Sequence, residues 1–303
     1  LKRKYCREVI SSLPIILFLP LLAYNGVIGS SFKDAKIRST KLIRIETRPG
    51  IKQKFILIKP DNPFASVILF PGGHGSIQLT SFLGIPSVGP GWEGNFVVRT
   101  RKDFAKHGFM VALVDAPSDK QPDNPGLTWV GLNTITKDNE IFRVSIEHAQ
   151  DIKAVASYLK NEAKVPIWLV STSFGTFSAA NGAIRAREEI KGLILTSSMT
   201  RSDAKSPIYK RYPNFIINLE LDRITVPTLI VSHREDRCYA TPPEGAQRIR
   251  EALINSPKVE VKYFAGGKPP LEQDCWGLSP HGFYGIEDQV LTAIADFIKS
   301  NSQ

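Results

Sequence analysis

The chain reads as an α/β protein with a mostly parallel central sheet covered by helices on both faces. Three observations carry this. Short continuous apolar runs recur at residues 66–70, 109–114, 167–170, 192–196 and 228–232, the pattern of strands buried on both faces. These runs alternate with segments of helical character, which is the arrangement that connects parallel strands. The 303 residues are 42% hydrophobic and 9% aromatic, enough for a large core and unlike a disordered or collagen-like chain.

Each element has its own signal. Residues 42–47 and 55–59 are predicted strands joined by the turn Arg48-Pro49-Gly50. The strand at 66–70 ends at Pro71-Gly72-Gly73. Residues 97–107 are a predicted helix, with Gly108 as its C-terminal stop. After the strand at 109–114, a Pro- and Gly-rich loop covers 116–133. Residues 141–159 are a predicted helix in which Ile152, Val155, Ala156 and Leu159 recur at i, i+3, i+4 and i+7 and form one apolar face. Strand 167–170, helix 174–188, strand 192–196, strand 228–232, helix 243–253, strand 259–264 and helix 286–299 complete the series. The loops at 116–140 and 198–226 are long enough for a minimal lid and too short for a second domain.

The formal net charge is +10, and it is unevenly spread. Residues 1–31 carry +3, residues 32–54 carry +6 and residues 55–303 only +1. A near-neutral body argues against a basic groove, so no nucleic-acid partner is expected. Lys2, Arg3, Lys4 and Arg7 precede an 11-residue apolar run over 13–23, broken by Pro14 and Pro20, which fits the hydrophobic region of a secretory signal. Residues 1–31 are therefore expected to be a signal peptide, followed by a single domain over 32–303 that is periplasmic or secreted. The alternative is a membrane anchor through residues 9–28. The basic stretch 32–54 alternates with apolar residues and reads as a solvated strand face, with weak membrane-surface contact as the other reading.

The chemistry-bearing residues lie at the strand ends. Strand 167–170 runs into Ser171-Thr172-Ser173-Phe174-Gly175 and then a helix, with Ser173 at the apex of a turn that needs small neighbours. The alternative for this segment is a serine-rich helix cap. Strand 228–232 ends at His233-Arg234-Glu235-Asp236, and Pro280-His281-Gly282 precedes the last helix. Catalytic groups of open parallel sheets gather at this strand edge.

The order Ser, Asp, His along an alternating chain resembles the α/β-hydrolase superfamily over about residues 42–300, with Ser171 where its motif usually has glycine. The resemblance implies an α/β-hydrolase fold and a serine hydrolase, most simply a carboxylesterase acting on a small ester or acyl substrate. It makes Ser173 the nucleophile, His281 the general base and Asp236 its orienting acid. It assigns the oxyanion donors to the backbone N–H of Phe174 and of Gly73, with His74 as the second choice. Peptidases and thioesterases use the same machinery, and a non-catalytic binding protein on this scaffold is the competing class. If Asp236 and His281 meet at one triad, Cys238 and Cys275 lie close together, and in an exported protein they are expected to form a disulfide. His107 and His148 fall on helices and read as exposed or satisfied by neighbours, His233 as a structural strand-end residue. No cofactor or metal is expected: there is no Cys-x-x-Cys pair and no phosphate loop, and the Gly73-x-Gly75 run continues into Gln78 rather than glycine.

Overall fold

Among the described residues, ten strands and six α-helices follow one another along the chain. The computed structural model describes residues 34–121, 141–202 and 207–302. The expected signal peptide or anchor, with Cys6, lies outside the described residues, as do positions 122–140 and 203–206 of the two candidate lid loops. From Asp34 onward the chain forms one compact unit. Among the described residues no helix is long and apolar enough to cross a membrane.

The strands are β1 (Ile37–Arg48), β2 (Ile51–Pro60), β3 (Ala65–Phe70), β4 (Thr80–Phe82), β5 (Ile85–Ser87), β6 (Phe109–Val114), β7 (Ile167–Thr172), β8 (Gly192–Thr196), β9 (Thr228–His233) and β10 (Val259–Phe264). Eight of them build one sheet in the order β1-β2-β6-β3-β7-β8-β9-β10. β1 and β2 form an antiparallel hairpin, β2 is antiparallel to β6, and every later pairing is parallel. The hairpin is longer than its hydrophobic pattern suggested because its outer rungs carry charged residues, among them the pair Glu46 and Lys52. β4 and β5 make a separate small hairpin that three-residue strands leave no periodicity to predict.

The helices are α1 (Phe96–Arg99), α2 (Arg101–Lys106), α3 (Ile146–Glu162), α4 (Gly175–Arg185), α5 (Gly245–Ala252) and α6 (Glu287–Ser300). The helix expected over 97–107 is thus two, divided at Thr100, whose hydroxyl donates to the Phe96 carbonyl at 2.7 Å; Gly108, at φ 90°, follows it. The expected start at Ile141 moves to Ile146, because Ser145 caps the helix by accepting from the His148 N–H at 3.1 Å. Such a cap contributes about 1 kcal/mol.

Two core layers sandwich the sheet. Residues of α3, α4 and α5 pack on one face with Phe55, Leu57, Ile68 and Leu169. Those of α1, α2 and α6 pack on the other with Ile56, Ile58, Val67 and Val170. The chain leaves β3 toward β6 and returns across it to β7 on its other side. That makes the gap between the carboxyl ends of β3 and β7 the topological switch point, where open α/β sheets bind ligands.

Candidate active site

Ser173 stands at this gap. It joins β7 to α4 and holds φ at 53°, in the left-handed region that a residue with a Cβ rarely occupies. Its N–H donates to the Thr196 carbonyl at the end of β8, 3.1 Å away. The strain is tolerated because the neighbours are small. A Cβ on Gly175 would lie 2.3 Å from the Phe70 carbonyl oxygen, and one on Gly72 would lie 3.0 Å from the Ser173 Cβ. Ser171, in place of the usual first glycine, is buried and donates its hydroxyl to the Ile194 carbonyl at 3.2 Å. The substitution therefore adds a bond to the next strand instead of crowding the turn.

The acid and the histidine meet further along the sheet, the acid two strands beyond β7. Asp236 follows β9, and its Oδ2 lies 3.1 Å from His281 Nδ1; both side chains are buried. Asp236 Oδ1 accepts from the Cys238 N–H at 2.9 Å. His281 sits in a single helical turn, Pro280–Gly282, capped by Ser279, whose Oγ accepts the His281 N–H at 3.2 Å. Ser197, the residue after β8, donates its hydroxyl to the His281 carbonyl at 2.7 Å. The β8 end thus contacts Ser173 through Thr196 and His281 through Ser197. Cys238 and Cys275 are joined by a disulfide, which ties the acid loop to the histidine loop.

The loop after β3 closes the other side. Gly73 has φ 56°, and its carbonyl accepts from Arg143 Nη2 at 3.1 Å, as does the carbonyl of Pro71. Because a trans peptide points its C=O and N–H in opposite directions, Arg143 fixes the N–H groups of Gly72 and His74 to face away from it. His74 Nδ1 accepts from the Ser76 N–H at 3.2 Å, so its proton sits on Nε2. Burial, with the Arg143 charge nearby, pushes its pKa down to about 4. Phe174 is the N-cap residue of α4, where N–H groups lack helical acceptors, and its ring packs on Phe177 and Phe215.

No protein-family model and no curated relative matches the sequence. Solved structures do. The esterase Pf2001 of Pyrococcus furiosus is 18% identical with a TM-score of 0.57, over 88% of this chain and 92% of that one. Dienelactone hydrolase from Anabaena variabilis is 11% identical with a TM-score of 0.57, over 88% of this chain and 99% of that one. Dipeptidyl peptidase 4 of Porphyromonas gingivalis is 16% identical with a TM-score of 0.56, over 88% of this chain but only 36% of that longer one. The chain has the α/β-hydrolase fold.

Within that hydrolase fold, three positioning residues escaped the sequence reading. Thr241 Oγ1 donates to Asp236 Oδ2 at 2.8 Å and lies 3.0 Å from His281 Nδ1. Its single proton goes to the carboxylate, so it accepts from His281 Nδ1–H, and Nε2 is left as the basic nitrogen. Arg143 is buried, donates from Nη1 to Ser178 Oγ at 2.8 Å, and spans α4 and the Gly73 loop. Asp115, after β6, accepts from the N–H groups of Ile77 and Leu79 at 2.8 and 2.9 Å and pins the outgoing end of the same loop. Lone polar residues in loops carry no sequence pattern that would have singled them out.

The other histidines divide. His233 is structural: its Nδ1 accepts the Glu235 N–H at 3.1 Å and its Nε2 lies 3.0 Å from the Gly266 carbonyl. His148 departs from expectation. It is buried, and neither ring nitrogen has a hydrogen-bond partner among the described residues. Burial, reinforced by the charges of Arg143 and Arg48, pushes its pKa down to about 3.

Proposed function

We propose that the chain is a serine hydrolase working by acyl transfer, in the first instance a carboxylesterase, in an oxidising compartment outside the cytoplasm. The observation that carries the reading is one juxtaposition. Ser173, strained at a strand-to-helix turn, shares a sheet edge with the buried Asp236–His281 pair. The Cys238–Cys275 disulfide supports the compartment, since such bonds persist where the environment is oxidising.

In the proposed reaction Ser173 Oγ attacks the ester carbonyl carbon and passes its proton to His281 Nε2. The imidazolium is stabilised by Asp236, and its Nδ1–H stays on the ring. When the tetrahedral intermediate collapses, the bond to the leaving alcohol breaks and His281 gives that oxygen the proton. Water then attacks acyl-Ser173, with His281 taking the water's proton and returning one to Ser173 as the acid leaves. The negative oxygen of each intermediate accepts from the Phe174 N–H and from the Gly73 loop, with Gly73 or His74 as donor. One such donor is worth about 3–4 kcal/mol in the transition state.

A peptidase or thioesterase reading uses the same residues, and the likeness to a dipeptidyl peptidase keeps amide bonds among the substrates to test. The experiment is turnover of p-nitrophenyl acetate and of an aminoacyl p-nitroanilide by the wild type and by Ser173→Ala. Ester turnover that disappears in the variant is expected. Turnover that survives it, or a folded wild type inert to both, contradicts the proposal and favours a non-catalytic binding protein.

A further inference from the structure

We propose that the cavity beside the Gly73 loop is a subsite for an aromatic ring of the substrate, and that Glu272 bars rings bearing negative charge. The inference rests on the hydrolase reading and adds a substrate class to it.

The cavity has a volume of about 450 Å³ and lies between the Gly73 loop, the segment 90–95 and the segment 272–277 ahead of His281. A cavity of roughly 150 Å³ accepts benzene, so this one has room for a ring and its substituents. Two tryptophans line it, Trp92 and Trp276. Trp276 is 57% exposed, which leaves much of a large apolar ring without a cover. His74 stands edge-on to Trp92, with ring centroids 4.8 Å apart. Its depressed pKa keeps that wall uncharged at neutral pH. Flat aromatic walls favour a ring in stacked or edge-on contact, worth about 0.5–1.5 kcal/mol per pair beyond burial.

One lining residue, Asn95, lies across Gly72 from the proposed nucleophile. Gly72 separates Ser173 from Asn95: a Cβ there would lie 3.0 Å from the Ser173 Cβ and 3.2 Å from Asn95 Nδ2. Asn95 lines the cavity. At the other end, Cys275 joins the Trp276 wall to the acid loop through its disulfide. Glu272 is the charged residue of the lining and is held in place by the Leu278 N–H, 2.7 Å from its Oε2. A carboxylate fixed in a wall of low polarity repels a second one.

The test compares kcat/KM for benzyl acetate and methyl benzoate with that for ethyl acetate. The two ring esters show whether the subsite takes the alcohol or the acyl side. At least one of them is expected to be favoured about tenfold over ethyl acetate, and Trp276→Ala is expected to lower that preference about tenfold. Glu272→Gln should narrow the discrimination against a 4-carboxybenzyl ester relative to the benzyl ester. A wild type without ring preference, or a preference unchanged by Trp276→Ala, overturns the subsite. Titration of Ser173→Ala with benzyl alcohol and with benzamide, followed by tryptophan fluorescence, separates this from failure of the hydrolase reading. Saturable quenching without wild-type turnover of any ester retains the subsite and removes the esterase. Turnover of esters with no quenching by either compound removes the subsite alone.

Discussion

The two sides of the candidate site are held by different means. On the acid–histidine side, a disulfide, a buried Asp236–His281 bond and a bridging Thr241 fix groups that come from separate loops. On the side proposed to hold the oxyanion, no covalent tie occurs among the described residues. Arg143 grips the carbonyls of Pro71 and Gly73, and Asp115 grips the N–H groups of Ile77 and Leu79, so one loop is stretched between a buried cation and a buried anion. The difference teaches where each side is vulnerable. The first depends on oxidation and on a tautomer. The second depends on charges whose burial makes them costly to leave unpaired.

The largest effect expected is on the first side. Asp236→Asn removes the carboxylate that selects the Nδ1–H tautomer, and kcat should fall about 10⁴-fold with the fold intact by circular dichroism. Arg143→Met tests the second side. With the Pro71 and Gly73 carbonyls released, steady-state kinetics should show kcat reduced about 10²–10³-fold, the range for losing an oxyanion donor, with KM moving less.

Stability separates the sides next. Cys238→Ser with Cys275→Ser should cost about 2–4 kcal/mol in urea unfolding, and this loss should be absent when wild type and variant are compared under reducing conditions. Acid should act on the other side. His148 adjoins the Pro71–Arg143 region, and its folded pKa lies below its ordinary value. Between about pH 6.5 and 3 the unfolded chain therefore binds a proton that the folded chain refuses. The stability His148 leaves intact above pH 6.5 is lost as pH falls, by about 2 kcal/mol at pH 5. Unfolding of His148→Phe should show a shallower decline over that range.

The smallest effect sharpens the first side. Thr241→Val should lower kcat/KM about tenfold and shift the acidic limb of its pH profile, while Thr241→Ser restores both. A purely structural threonine would change stability and leave the pH profile where it was.

This division also explains what was legible in the sequence. β3, β6, β7, β8 and β9 are buried on both faces, so each appears as an apolar run, and the alternation with helices carried the architecture. The ends of β1 and β2, the break at Thr100 and the β4–β5 hairpin depend on local hydrogen bonds or on strands too short to show a period. At the candidate site, Ser173, Asp236 and His281 could be singled out because each follows a strand or precedes a helix in a known order. The bonds from Arg143 to Pro71, from Asp115 to Leu79 and from Thr241 to His281 span 72, 36 and 40 positions of the chain. Their roles exist only once the sheet has brought those partners together.

The account stands on Ser173 as the residue that carries the acyl group. The direct measurement is to react the folded protein with a fluorophosphonate, digest it and locate the adduct by mass spectrometry. The account predicts a single adduct on Ser173, absent in His281→Ala over the same interval. An adduct on another residue, or none in folded protein, would contradict it.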